Sequence, residues 1–375
     1  MYDLDMVRRS LPVLQEATYI NCGTLGLTPE PVLAVLHDAL DRDERGGHWA
    51  IPKLGQEVVA ARQRVAAFMG CSPDELTLTR NATDGVNYVA GSLAWNPGDE
   101  ILISDQEHPA MLYPWFYQQQ RRGLHVVLFH VDIDPQITVQ NVERLITPRT
   151  RLIGASHITC PTGTRLPVKE ICALAASRGI LSLIDGAQAL AHISVNVKDI
   201  GADFYVGNGH KWMCAPKGTG FLYIRRELIA GMWPPYVGGA ASFSLEKGLE
   251  LLPTAARFEY GSQNLAAYAA IPAALDWLES LGWQNMETHM RELRAYLRQQ
   301  LERIPGIVIH SPAAWEHASA LTSFTLPGMD ARATFDRLMT EHKIVTRPVP
   351  EMNALRVSTA YFNAPQDIDR LMAAL

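Results

Sequence analysis

The stretch ILSLIDGAQALAHISVNVKDIGADFYVGNGHKWMCAPKGTGFLYI, residues 180–224, decides the fold class. It contains three short runs that are β-rich and mostly apolar, at 180–185, 203–207 and 220–224. Runs that are apolar along their whole length are typical of strands in a parallel sheet, where helices cover both faces. The stretch therefore predicts an α/β fold with a mostly parallel sheet.

The same alternation of short strands and helical patterns extends over about residues 75–225, as in ELTLT (75–79), EILIS (100–104) and VKEICALAASR (168–178). After residue 260 the pattern changes to two long amphipathic helices, over about 264–281 and 283–304, followed by a smaller α+β unit. We therefore predict a large three-layer α/β domain over 16–255 and a small C-terminal α+β domain over 256–375. Residues 1–15 are expected to pack with the small domain.

Composition and charge exclude several classes of protein. The net charge of -6 and the lack of a basic stripe argue against nucleic-acid binding. No run approaches the roughly 18 to 20 apolar residues that a membrane span needs, and the first residues lack the basic and apolar regions of a signal peptide. The five cysteines form no C-x-x-C pair, so neither a zinc site nor a disulfide framework is indicated. A cytoplasmic enzyme with no bound metal is expected.

Two residues of the central stretch carry the chemistry of pyridoxal phosphate. Asp185 ends an apolar strand, which places its carboxylate at the edge of the sheet where open α/β sheets bind ligands. An ionised Asp can keep a proton on the ring nitrogen of this cofactor, which then acts as an electron sink. Lys211 lies in a glycine-flanked loop between His210 and Trp212, where a desolvated amine is a usable nucleophile. Lys217, in the same loop, is more typical of a turn.

A third feature is the helix start within RNATDGVNYVA, residues 80–90. Free backbone N–H groups and the helix dipole there can bind a phosphate, and Thr83 can add its hydroxyl. Thr83 or Asp84 would also cap the helix if no phosphate were present, so capping is an equally good interpretation of this segment alone. No glycine-rich dinucleotide or Walker pattern offers a different ligand.

Four further segments carry a family resemblance: HITCPTGTRLPVKEI (157–171), residues 183–224, FEYGSQNLAAYAAIPAAL (258–275) and LRVSTAYFNAPQDIDRL (355–371). Together they resemble the class V aminotransferases among the fold-type I pyridoxal-phosphate enzymes, closest to the isopenicillin N epimerase-like and cysteine desulfurase-like branch. The resemblance implies that Lys211 holds pyridoxal 5'-phosphate as a Schiff base, that Asp185 pairs with the ring nitrogen and that Gln188 bonds the ring hydroxyl. His108 would stack on the ring. The residues implied to hold the phosphate are Ala82, Thr83, Asn208 and His210.

The resemblance also implies how substrate and subunits are bound. Arg356 matches the arginine that grips the substrate carboxylate, and Thr159 and Cys160 would lie beside the substrate. Ser262 matches a hydroxyl that reaches the phosphate of the neighbouring subunit, so a homodimer with shared active sites is expected. Two positions depart from the common pattern, since many members have asparagine where this chain has Cys160 and serine where it has Asn208.

The reaction type follows less directly. Cysteine desulfurases carry a mobile thiol in the C-terminal third, and the last cysteine here is Cys214, so a desulfurase is not expected. The favoured hypothesis is a carbon–sulfur β-lyase or an epimerase-like enzyme acting on a small amino acid. The alternatives are a class V aminotransferase and a catalytically silent scaffold of the same fold.

Overall fold

The computed structural model describes residues 3–375. The strands that it contains are β1 Thr18–Tyr19, β2 Leu76–Thr79, β3 Glu100–Ser104, β4 His125–Phe129, β5 Thr150–Ser156, β6 Leu181–Asp185, β7 Phe204–Asn208, β8 Gly220–Ile224, β9 Ala241–Ser244, β10 Gly248–Leu251, β11 Val308–Ile309, β12 Leu321–Thr325, β13 Ile344–Val345, β14 Arg347–Val349 and β15 Ala354–Ser358. The α-helices are α1 Leu4–Arg9, α2 Glu30–Gly46, α3 Ile51–Met69, α4 Ala82–Ser92, α5 Pro109–Arg122, α6 Pro135–Leu145, α7 Val168–Ser177, α8 Val197–Ile200, α9 Arg226–Ile229, α10 Leu265–Ala269, α11 Ile271–Leu281, α12 Trp283–Leu301, α13 Ala331–Glu341 and α14 Pro365–Ala374.

A seven-stranded sheet forms the centre of the molecule, in the order β2-β8-β7-β6-β5-β3-β4. The strands from β4 to β7 are parallel, and β8 runs antiparallel to both β7 and β2. The mostly parallel sheet predicted from the sequence is thus confirmed. Ser156 and Asp185 are paired at the ends of β5 and β6, so the carboxyl ends of neighbouring strands meet at one edge.

The sheet is buried on both faces because its strands are apolar on both faces. Along β3, Leu102 packs into one hydrophobic cluster, whereas Ile101 and Ile103 pack into another on the opposite face. Helices α3, α7 and α11 contribute to the first cluster, and α4 and α5 contribute to the second. Successive side chains of a strand point to opposite faces, so this division shows the predicted three layers of helix, sheet and helix.

A second, four-stranded antiparallel sheet lies in the C-terminal part, in the order β11-β12-β15-β14. The N-terminal segment reaches this region twice: β1 pairs in parallel with β13, and Arg8 makes an ion pair with Asp367 of α14 at 2.8 Å. The domain ranges 16–255 and 256–375, and the packing of residues 1–15, stay predictions; residues 1 and 2 lie outside the described residues. Between residues 3 and 375, no helix combines the length and apolarity needed to cross a membrane.

The helix predicted over 264–281 is instead two helices, α10 and α11, that meet at Ala270. Pro272 stands in the first turn of α11. Proline has no N–H to bond the preceding turn, and its ring clashes with the carbonyl four residues before it, so one continuous helix is interrupted here. The hydrophobic periodicity continues through the break, so periodicity alone predicts one helix, whereas Pro272 is the residue in the sequence that marks the break.

Candidate active site

One cavity of about 280 Å³ lies at the sheet edge where β5, β6 and β7 end. Nine of the residues proposed from the sequence line it: Ala82, Thr83, His108, Cys160, Asp185, Gln188, Asn208, His210 and Lys211. Thr24 and Arg347 also line the cavity and were not proposed. The fold therefore brings the proposed residues together around one small space, although Ala82 and Lys211 are 129 positions apart in the chain.

Asp185 is the last residue of β6 and is almost fully buried. Its Oδ1 accepts a hydrogen bond from the backbone N–H of Ala187 at 2.8 Å. Burial raises the pKa of this carboxyl, while the nearby Lys211 acts in the opposite direction. A buried carboxylate in this position is stabilised by a positively charged partner, as a protonated ring nitrogen would be.

Lys211 follows β7 in a loop that the N-terminal segment holds in place. The N–H of Gly26 donates to the carbonyl of His210 at 2.8 Å, and a Cβ at Gly26 would lie 1.9 Å from the carbonyl oxygen of Lys211. Only glycine allows this close approach of two backbones. Burial lowers the pKa of Lys211, although Cys160 and Asp185 oppose the shift. The neutral, nucleophilic amine is therefore more accessible than in water.

His108 caps the N-terminus of α5, where its Nδ1 accepts from the N–H of Ala110 at 3.1 Å. Burial, followed by the charge of Lys211, lowers its pKa to about 4, so the ring is neutral at pH 7. The adjacent Glu107 was not singled out from the sequence. It accepts from the N–H of Ser156 at 2.6 Å, and burial raises its pKa to about 7. The sequence feature that could have pointed to Glu107 is its position beside His108 in DQEHP, residues 105–109.

Both polar atoms of the Gln188 side-chain amide make hydrogen bonds within the protein. Its Nε2 donates to the carbonyl of Gly23 at 2.7 Å, and its Oε1 accepts from Nε1 of Trp212 at 2.9 Å. These contacts join the segment after β6, the N-terminal segment and the lysine loop. The amide therefore faces the cavity from a rigid position.

The start of α4 supplies backbone donors to the same cavity. The cap is Asn81, whose side chain accepts from the N–H of Asp84 at 2.9 Å, so capping by Thr83 or Asp84 is not what the structure shows. The N–H of Ala82 donates to Oδ1 of Asn208 at 2.8 Å, and Thr83 is exposed. An 11-residue helix with its N-terminus at the cavity favours an anion there.

Two arginines lie next to Cys160: Arg347 lines the cavity, whereas Arg356 does not line it but bonds two residues that do. Arg356 on β15 is fully buried; its Nη2 donates to Thr24 Oγ1 at 2.9 Å and its Nη1 to the carbonyl of Cys160 at 2.8 Å. Arg347 on β14 stands directly opposite Arg356 in the antiparallel pair and lines the cavity. The sequence analysis missed Arg347, because the pairing of two short strands cannot be read from their residues.

Two proposed residues lie elsewhere. Ser262 is exposed and lines a separate cavity of about 290 Å³ with Arg80, Tyr260 and others. Thr159 is buried beside Cys160, but its hydroxyl bonds that of Thr162 at 2.8 Å and accepts from the N–H of Thr164. Within this single chain, neither side chain is brought to the cavity that contains Lys211.

The donor set matches pyridoxal phosphate group by group. The cavity contains a buried carboxylate, a helix N-terminus, His210 and a lysine. The model of the family "Aminotransferase class-V" matches residues 26–371. The chain belongs to the class V aminotransferase family. Its cofactor is pyridoxal phosphate, and it is a PLP-dependent enzyme of the fold-type I class, as predicted.

The relatives of this class V enzyme are named for different activities. Isopenicillin N epimerase of Amycolatopsis lactamdurans is 31% identical, over 96% of this chain and 94% of the relative. A cysteine desulfurase of Serratia proteamaculans is also 31% identical, over 100% and 98% of the two chains. The solved structure of a C-DES variant, with glycine covalently linked to its PLP cofactor, is 26% identical with a TM-score of 0.91, and the alignment covers 100% and 98% of the chains.

The expectation that a cysteine desulfurase is unlikely was wrong. Several relatives that match nearly the whole chain, and a solved structure with a TM-score of 0.91, are cysteine desulfurases. The expectation rested on the absence of a cysteine after Cys214. A thiol at one position concerns where the sulfur atom goes after it leaves the substrate, whereas the groups that activate Cα are those of the cavity. The missing cysteine therefore could not exclude the class.

Proposed function

We propose that this enzyme cleaves the carbon–sulfur bond of a small cysteine-type amino acid. The observation that carries the proposal is that Lys211, Asp185 and Arg347 line one cavity of about 280 Å³, and that Arg356 bonds its lining residues Thr24 and Cys160. This space would hold the cofactor and leave room only for a small amino acid, whose amine would meet the lysine and whose carboxylate would meet the arginines. The relatives support sulfur as the leaving atom, because they include cysteine desulfurases and C-DES is a cystine C–S lyase.

The residues take separate roles in this proposal. Pyridoxal phosphate, when bound, supplies the electron sink that makes the Cα–H bond of the substrate acidic. Lys211 removes that proton, and its lowered pKa makes the required neutral amine available. Asp185 holds a proton on the ring nitrogen, His108 covers the ring as a neutral imidazole, and the start of α4 binds the phosphate. Half of the lining side chains are buried, which limits the access of water.

The substrate carboxylate is proposed to bind at Arg347 and Arg356. A planar guanidinium matches a carboxylate with two parallel hydrogen bonds, and each such bond is stronger because both partners are charged. The side chain of the substrate would then face the part of the cavity that neither the arginines nor the cofactor occupies.

An epimerase is the second candidate, because isopenicillin N epimerase matches 96% of the chain. That reaction needs a second proton carrier on the face of the substrate away from Lys211. The cavity contains Cys160 as well as Lys211, so a second titratable group is present.

The test is product analysis of the holoenzyme beside its Lys211→Ala variant. With cysteine or cystine, the proposal expects pyruvate, ammonia and the released sulfur as sulfide or a persulfide. Borohydride should bleach the visible absorbance and link the cofactor covalently to the protein only in the wild type. The variant should lose roughly 10²–10⁴-fold in rate, since it lacks the proton carrier. Exchange of the Cα hydrogen with no carbon–sulfur cleavage would support the epimerase instead, and a protein that never takes up the cofactor would contradict both.

The quaternary structure is a further part of the proposal. Ser262 is exposed, and so are several large apolar side chains: Trp49 is 93% exposed, Leu245 99% and Phe243 69%. Exposed aromatic and aliphatic groups of this size mark interaction sites. We propose a homodimer in which Ser262 reaches the cofactor phosphate of the other subunit. A cytoplasmic location stays a prediction.

A further inference from the structure

The sulfur of Cys160 is bonded by two arginines, Arg347, which lines the cavity, and Arg356, which is fully buried. Nη1 of Arg356 donates to Sγ at 3.0 Å, and Nη1 of Arg347 donates to the same Sγ at 3.2 Å. Arginine only donates hydrogen bonds, so the sulfur must act as the acceptor for both. A neutral thiol is a weak acceptor, whereas a thiolate is an anion that suits two guanidinium groups.

The remaining charges around Cys160 are also positive. Burial by itself would raise the pKa of the thiol, but Arg356, Arg347 and Lys211 together outweigh burial and lower it. Glu351 acts on Arg356 only through its charge at a distance, and the neutral Gln188 Nε2 lies 4.0 Å from Sγ. Over the described residues 3–375, the hydrogen bonds of both guanidiniums end on Cys160 and Thr24, and no carboxylate takes part.

The sulfur thus stands where an anionic ligand of the arginines would stand. Nη1 of Arg347 bonds Sγ of Cys160. Nη1 of Arg356 also bonds this sulfur, and Nη2 of Arg356 bonds Thr24. The buried Nε of Arg356 has no hydrogen-bond partner. A substrate carboxylate that binds here meets both arginines and the sulfur at the same time. Two anions so close together repel one another in a buried site.

We propose that the Cys160 thiolate is a resident anion in the carboxylate site, so that an amino acid binds there only as this sulfur takes up a proton. The inference rests on the proposed binding of the substrate carboxylate at Arg347 and Arg356. Cys160 is then a residue that sets the pH dependence of substrate affinity, a role separate from the proton transfer carried by Lys211.

The direction of the effect follows from reciprocity between the two binding events. A bound carboxylate raises the pKa of the thiol, so protonation of the thiol must strengthen carboxylate binding by the same factor. As pH rises through the thiol pKa of the free enzyme, affinity for the amino acid falls. One proton is exchanged, so the fall is about tenfold per pH unit until the pKa of the bound state is reached.

The experiment measures dissociation constants for glycine from the visible absorbance of the holoenzyme, across about pH 6 to 9. Wild type is compared with Cys160→Ser and Cys160→Asn, whose side chains carry no charge. Methylamine is the matched ligand, because it has the amine of glycine without the carboxylate. Cys71→Ser is the matched variant, because Cys71 is a partly exposed thiol outside the cavity.

We expect the ratio of the wild-type to the Cys160→Ser dissociation constant for glycine to rise with pH by tenfold or more. The same ratio for methylamine should stay constant, as should the glycine ratio for Cys71→Ser. Deprotonation of the ligand amine affects all the proteins equally and cancels in these ratios. A glycine ratio that does not change with pH overturns the inference while leaving the proposed function intact. A holoenzyme whose absorbance responds to neither ligand overturns both.

A second readout needs no turnover. Iodoacetamide is added to the apoprotein, and each cysteine peptide is followed by mass spectrometry as a function of pH. We expect Cys160 to react faster than Cys71 at neutral pH although it is only 6% exposed, because burial raises the pKa of Cys71 to about 12. Arg347→Met should slow the reaction of Cys160. If Cys160 reacts only at alkaline pH, as Cys71 does, the thiolate assignment is overturned.

Discussion

At the scale of the residue, the least expected finding is Arg347, which lines the cavity opposite Arg356. If it binds the substrate carboxylate, Arg347→Met should raise KM roughly 10–100-fold, since a hydrogen bond to a charged group contributes about 1.5–3 kcal/mol. Steady-state kinetics checks this value. The matched control is Arg332→Met, which removes an exposed ion pair with Asp336 and a cation–π contact with Phe335, both within α13. An equal rise of KM in both variants would contradict a binding role for Arg347.

The residues that could be predicted from the sequence are those whose roles are indicated by their neighbours in the chain. Asp185 ends a run of apolar residues and Lys211 lies in a glycine-flanked loop, so both were recognised from their neighbours, and the family resemblance added Gln188 and Arg356. Arg347 could not be found in this way, because its role depends on the register of β14 against β15. Arg347 and Arg356 are 187 and 196 positions from Cys160 in the chain, so their contacts with its sulfur could not be predicted from its neighbours either.

At the scale of the element, the start of α4 links stability to cofactor binding. Asn81→Ala removes the side-chain cap and should lower the free energy of unfolding by about 1 kcal/mol. It should also weaken cofactor binding, because the capped end of this helix faces the cavity. Asp330→Ala removes the equivalent cap of α13, away from the cavity. Urea denaturation and cofactor titration should show similar stability losses for the two variants and a loss of cofactor affinity for Asn81→Ala alone.

The contact between α3 and the segment before α10 is a second element-scale feature. Arg62 donates to both carboxylate oxygens of Glu259, at 2.6 and 2.8 Å, and the side chains are only 14% and 13% exposed. Arg62→Ala leaves this carboxylate without its partner and should lower the free energy of unfolding by about 3 kcal/mol. Arg45→Ala breaks an exposed pair with Asp41, and its effect should stay within about 0.5 kcal/mol. Denaturant titration of the two variants compares them directly, and equal losses would contradict the prediction.

At the scale of the whole molecule, the prediction concerns assembly. If Ser262 reaches the cofactor of a second subunit, the protein should sediment as a dimer, and Ser262→Ala should bind pyridoxal phosphate more weakly without dissociating. Analytical ultracentrifugation and cofactor titration separate these two properties. Ser280→Ala, on the exposed face of α11, is the control and should change neither. A monomer with full cofactor affinity would rule out shared active sites.

The short segment Gly23–Gly26 touches Gln188, the lysine loop and, through Thr24, Arg356. Thr24 and Arg356 are 332 positions apart in the chain. During synthesis the N-terminal side of the site therefore leaves the ribosome long before its last wall exists, and contacts of such separation form late in folding. A nascent chain that has completed only the central sheet already carries Asp185 and Lys211 but cannot yet recognise an amino acid. We therefore expect the carboxylate-binding side of the site to form only after β14 and β15 have been synthesised.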